Sequence, residues 1–184
     1  MGRFIKQPML MPATDAQDDF LLLSPFEYYF EGDAPAMAPM VPYADYKAVP
    51  SILVPPYFVT DMTSAPWIAR VCNIDKFGPH GNAALLHDWV YSTEMFPRAV
   101  CDELFLEAMI VLGVGYTRRN AAYVGVRLGG GSVWAAHDPA EVAWWREYGR
   151  MCVAAHNNKT APPMITMVQP LLDDMEAEVK KLAA

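Results

Sequence analysis

The spacing of apolar residues divides this chain into two halves. In the first sixty residues, Phe20–Leu23 and Phe26–Phe30 are rich in strand-forming residues, as are Ser51–Val54 and Tyr57–Thr60. Between them lies a span holding Pro35, Pro39, Pro42 and Pro50, with Pro55 and Pro56 just beyond. Proline fixes φ and removes a backbone donor, so this span is expected to be extended or looped. From Asn82 the period changes. Ala83, Leu86, His87, Val90 and Tyr91 mark one face of a short helix. A second helix is expected from Arg98 to Leu112, with Cys101, Leu104, Phe105, Ala108, Met109 and Leu112 on one stripe, ended by Gly113 and Gly115. A third is expected from a Thr117 cap to Leu128, stopped by Gly129-Gly130-Gly131. A fourth runs from Asp138-Pro139 to about Ala155. Leu171–Leu182, with acids first and lysines last, reads as a fifth. The fold class is α+β: a small N-terminal antiparallel β unit with a proline-rich arm, then four to five helices.

Composition narrows this picture. With 184 residues, 53% hydrophobic and 19% charged, the chain suits one ordered domain over 1–184. Within it, 1–49 forms the β unit and arm, and 136–184 the C-terminal helices. Fourteen basic and twenty-one acidic residues leave a net charge of −7, which argues against a general nucleic-acid binder, since that needs a cationic face. Cys72, Cys101 and Cys152 are odd in number and widely spaced, so neither a disulfide framework nor a zinc knuckle is expected. The N-terminus lacks the apolar run of a signal peptide, and no stretch approaches the length of a membrane span.

Polar residues that could carry chemistry fall in three pieces: Thr60-Asp61 with Ser64, then His87-Asp88, then Arg98 with Asp102. Singly, each has a plain structural reading. Asp61 can cap a turn. His87 lies on an apolar helix face. Asp102, four residues after Arg98, makes an ordinary surface pair.

Together they resemble a family. Val54–Pro66 resembles the "VPxGFxTDxxSxP" signature of domain-of-unknown-function family 1353. Leu86–Tyr91, Arg98–Asp102, Phe105, Met109 and Gly113 resemble the "HDxxY", "RxxxD" and "FxxAMxxxG" pieces that follow, and Gly125–Gly130 with Trp134 its closing helix. The resemblance covers roughly residues 50–135. Pro56-Tyr57 departs from the small residue and glycine usual there, which bears on the turn geometry.

The resemblance implies a setting in tailed bacteriophages and prophages, and it implies a polar set of Asp61, Ser64, His87, Asp88 and Asp102. Two functions are expected from this. The first is a virion component of tail, neck or capsid, made in the host cytoplasm, that contacts other phage structural proteins or copies of itself. The arm at 34–48 and the helix at 171–182 would then be ordered by neighbouring chains. The alternative is a hydrolase, for example one acting in phage entry, using one divalent metal ion with His87, Asp61 and Asp102 as ligands. The His-Asp pair is also similar to metal-dependent phosphohydrolases of the His-Asp type. These need a further upstream histidine, and His80 is a poor match for it.

Overall fold

The computed structural model describes residues 2–4, 7–13, 19–30, 51–60, 80–161 and 163. The expected arm, and the expected helix at 171–182, fall outside the described residues.

The N-terminal half is antiparallel β. Strands β1 (Arg3–Phe4), β4 (Phe26–Tyr29) and β5 (Ser51–Val54) form one sheet in the order β1-β4-β5. Strands β2 (Leu10–Pro12), β3 (Phe20–Leu22) and β6 (Val59–Thr60) form another in the order β2-β3-β6. In β4 burial alternates, with Phe26 and Tyr28 inward, as a half-buried strand requires. β5 pairs with β4 along its whole length, from Phe26 opposite Val54 to Tyr29 opposite Ser51, and it is buried throughout. Residues 51–54 therefore belong to the domain's own sheet. β1 and β2, two and three residues long, are additions to the strands expected from the sequence. Elements so short carry no visible period.

The turn from β5 to β6 settles the Pro56-Tyr57 departure. Tyr57 takes φ of +64°, the left-handed region a glycine would occupy freely, and its N–H donates to the Leu22 carbonyl at 2.6 Å. The turn keeps its geometry because tertiary contacts hold a tyrosine in it. The Tyr148 hydroxyl donates to the Pro56 carbonyl at 2.9 Å, and the Tyr57 ring packs on the core.

Four helices follow: α1 (Gly81–Ser92), α2 (Arg98–Val111), α3 (Tyr116–Ala135) and α4 (Pro139–Asn157). Asp138 caps α4, accepting from the Ala140 N–H at 2.9 Å, with Pro139 in the first position. α1 and α2 end alike. Beyond α1, Glu94 N–H donates to Tyr91 O and Met95 N–H to Val90 O. Beyond α2, Gly113 and Val114 bond to Ile110 and Met109 in the same way. Gly113 supplies the left-handed residue without strain (φ +72°). Glu94 occupies it at φ +43°, and its carboxylate is held by His137 at 3.2 Å and Arg146 at 3.7 Å. That clamp joins the end of α1 to the start of α4. Aromatic contacts of Phe58 with Trp89 and Trp145 join β unit, α1 and α4 in one core.

α3 departs most from expectation. It begins at Tyr116 after Gly115, not at a Thr117 cap, and runs through all three glycines to Ala135. Interior glycine costs a helix about 1 kcal/mol relative to alanine, so packing must repay it. At Gly130 it does: a Cβ there would overlap the Tyr91 hydroxyl and lie 3.5 Å from Arg98 Nη1. The glycine lets α3 close onto α1 and α2.

Candidate functional site

That close approach assembles a polar network at the junction of α1, α2 and α3. Asp102, on the inward face of α2, is 0% exposed, so the expected surface pair with Arg98 is in fact a buried one. The α2–α3 hairpin places Arg127 beside it, and α1 brings His87. His87 Nε2 lies 3.2 Å from Asp102 Oδ1, while Arg98 Nη1 and Arg127 Nη1 reach Oδ2 at 3.4 and 3.1 Å. Arg98 also donates to the Arg127 carbonyl at 3.3 Å, tying the two helices directly. Burial alone would raise the Asp102 carboxyl. The hydrogen bond and charge of His87, the bond from Arg127 and the charge of Arg98 outweigh it and hold the group below the ordinary carboxylate range.

An ionised Asp102 only accepts, so Nε2 of His87 carries the proton and donates. Nδ1 then has no hydrogen-bond partner among the described residues. The imidazole lies between the rings of Tyr91, at 4.5 Å, and Phe105, at 4.9 Å, and is 11% exposed. The Tyr91 hydroxyl is buried facing Gly130 and Arg98. Desolvation pushes its phenol up to about 12, against the pull of the Arg98 guanidinium.

The other expected residues divide. Asp88 accepts a hydrogen bond from the Thr60 hydroxyl, so it links α1 to the end of β6. Asp61 and Ser64 lie outside the described residues, just beyond Thr60 in the chain. His80 is buried at the N-cap of α1. It lies seven positions before His87, and neither joins a group of three or more metal-ligating side chains among the described residues. Cys101 packs inside, its Sγ 3.4 Å from Phe96 O, and burial raises its thiol to about 12. That makes it a poor nucleophile. Of Trp144, Trp145 and Tyr148, the last two are core, and Trp144 stacks on Tyr148 at 5.6 Å.

Arg127 and Gly130 were named from sequence only within the closing-helix motif and the glycine stop, not as site residues. The wrong helix end hid Gly130, whereas Arg127 lies inside the expected helix and only the packing of α3 on α2 brings it to Asp102. Among the described residues, no group of three or more His, Cys, Asp or Glu side chains forms a set able to hold a metal ion. His87 Nδ1 is the atom free to serve as ligand or base. Asp102, with its oxygens taken by three cationic or N–H donors, is a positioning group.

Fold and site together define a small α+β domain knit by one buried Asp–His–Arg network. Residues 37–126 match the model of a family described as protein of unknown function (DUF1353), and that segment is similar to the family. The match begins within the expected arm and ends inside α3. The comparisons with curated proteins and with solved structures give no match. No described helix is long and apolar enough to cross a membrane.

Proposed function

We propose that this chain is a tailed-phage virion component, of tail, neck or capsid, that works through protein–protein contacts. The observation that carries the reading is α3. It is twenty residues long, yet it buries only Ala122 and Gly125 and leaves Val124, Leu128 and Val133 exposed. A helix so poorly buried on its apolar side is suited to a partner. The saturated Asp102 network supports the same reading, because its three donors make it a clamp between helices. The test is incorporation. A tagged copy, expressed in cells producing the phage, should co-sediment with purified particles, and Leu128→Glu should leave it in the unassembled fraction. Particles that form without the tagged chain would overturn the proposal.

One observation favours the second reading, a metal-dependent hydrolase: a carboxylate fixes one nitrogen of His87 and leaves Nδ1 unpartnered. With Nδ1 of His87 and Asp61 as ligands and Asp102 holding the imidazole, purified protein would carry close to one divalent ion per chain. His87→Ala would lose it while staying folded. Elemental analysis finding no metal, with thermal stability unchanged by chelator, would eliminate this reading.

A further inference from the structure

Charge does not balance at the junction of α1, α2 and α3. Arg98 and Arg127 both reach the same oxygen of Asp102, Oδ2, at 3.4 and 3.1 Å. A tight guanidinium–carboxylate pair is two-pronged, with contacts of about 2.7–2.9 Å. Here each arginine offers one nitrogen at longer range. One carboxylate cancels one of the two guanidinium charges, and α3 contributes no acid to offset the other. The hydrogen bonds that either fork makes among the described residues use Nη1. Nη2 and Nε are left over, and the two side chains are 28% and 36% exposed.

Two further observations fall at the same place. Tyr91 is 7% exposed, and its buried hydroxyl makes no aligned hydrogen bond. Arg98 lies beside it, but a guanidinium only donates, so the phenol proton lacks an acceptor. A methyl at Gly130 would overlap that hydroxyl and lie 3.5 Å from Arg98 Nη1, so hydroxyl and fork border one space. The other observation is Gly131. A side chain there, four residues after Arg127, would lean back over the arginine. A Cβ at Gly131 meets nothing within 4 Å. No packing therefore requires the glycine, and helix propensity disfavours it. A bare turn beside Arg127 leaves its fork open to a ligand.

We propose that the outer edges of Arg98 and Arg127, with the Tyr91 hydroxyl behind them, bind a phosphate group, either the free anion or a monoester. The inference goes beyond the contact function and needs neither reading of His87. Two forks and a phenol donate from three directions, and the surplus charge calls for an anion. A tetrahedral oxyanion presents acceptors to all three, whereas a carboxylate lies in one plane and suits a single fork. The Arg98 bonds to Asp102 and to the Arg127 carbonyl, 3.4 and 3.3 Å, are loose enough for that fork to turn onto the anion and bare the hydroxyl. A net charge of −7 disfavours a nucleic-acid backbone as the source.

The test titrates the full-length chain with sodium phosphate, glycerol 3-phosphate or sodium acetate at fixed ionic strength, and follows the arginine Nε–H signals by NMR. The Arg98 and Arg127 signals should move and saturate with a Kd on the order of 1 mM for phosphate groups, and stay in place with acetate. The tighter of the two phosphates identifies the source, free anion or ester. Arg127→Gln should weaken binding at least about tenfold. Because that change touches the Asp102 network, Gly131→Glu and Gly131→Gln supply a pair outside it. The glutamate takes up the surplus charge and should also cost about tenfold or more, the glutamine about threefold or less. Signals unmoved at about 20 mM phosphate, twenty times that Kd, would overturn the site. So would equal shifts at Arg118, Arg119 and Arg150, or a Gly131→Glu chain that binds like the wild type. Acetate binding as tightly as phosphate would replace the proposal with a carboxylate side chain as ligand.

Discussion

α2 and α3 are neighbours in one hairpin, yet they are used in opposite ways. α2 buries Cys101, Asp102, Leu104, Phe105, Ala108 and Met109 in fourteen residues. α3 buries Ala122 and Gly125 in twenty. α2 even takes a carboxylate inside, which is tolerable only because three donors meet it. α3 leaves leucine and valine outside and turns an arginine and a glycine inward. The contrast teaches that the fold's stability is concentrated in α2 and its partners. α3 is attached by a few specific contacts and otherwise free to serve another surface.

The sharpest way to break this comparison is at Asp102. Replacing it with alanine removes the shared acceptor and leaves two guanidiniums facing each other across a buried gap, at a cost of about 3 kcal/mol in urea denaturation. A loss near zero would mean the network is not what joins the helices. Asp102 also sets a pH dependence. Its folded pKa is lowered, so below its unfolded value near about 3.9 the unfolded chain binds the proton more readily. The stability it contributes is complete above that value and is lost as pH falls through the folded one. Asp102→Asn should flatten that part of the acid limb, and an unchanged acid profile would contradict the assignment.

The adjacent glycines give a paired test inside α3. Gly130→Ala should cost about 1–3 kcal/mol, because its methyl must displace the buried Tyr91 hydroxyl. Gly131→Ala meets nothing within 4 Å and should gain about 0.5–1 kcal/mol from helix propensity alone. If both alanines act alike, α3 does not sit on α1 as described. The smallest effect belongs to the outer face. Leu128→Glu should change single-chain stability by less than about 0.5 kcal/mol in dilute urea titrations, since that side chain is 76% exposed. A larger loss would show that the face already has a cover within the chain.

Local pattern was enough for the division into a β half and a helical half and for the Asp138-Pro139 start of α4, whereas the grouping of His87 with Asp102 rested on the family resemblance. The first two depend on period or capping chemistry within a few residues, which one sequence displays openly. The reach of α3 through Gly129-Gly130-Gly131 was not legible. Neither was the burial of Asp102, the part played by Arg127, or the left-handed backbone at Tyr57 and Glu94. In all five, local preference points one way and a distant partner decides. Gly130 is helical because Tyr91 and Arg98 need the space its missing side chain leaves. Glu94 tolerates positive φ because His137 and Arg146 hold its carboxylate. Asp102 is buried because α1 and α3 deliver donors from fifteen and twenty-five residues away. Those contacts exist only once the helices have packed, so only the tertiary structure determines them.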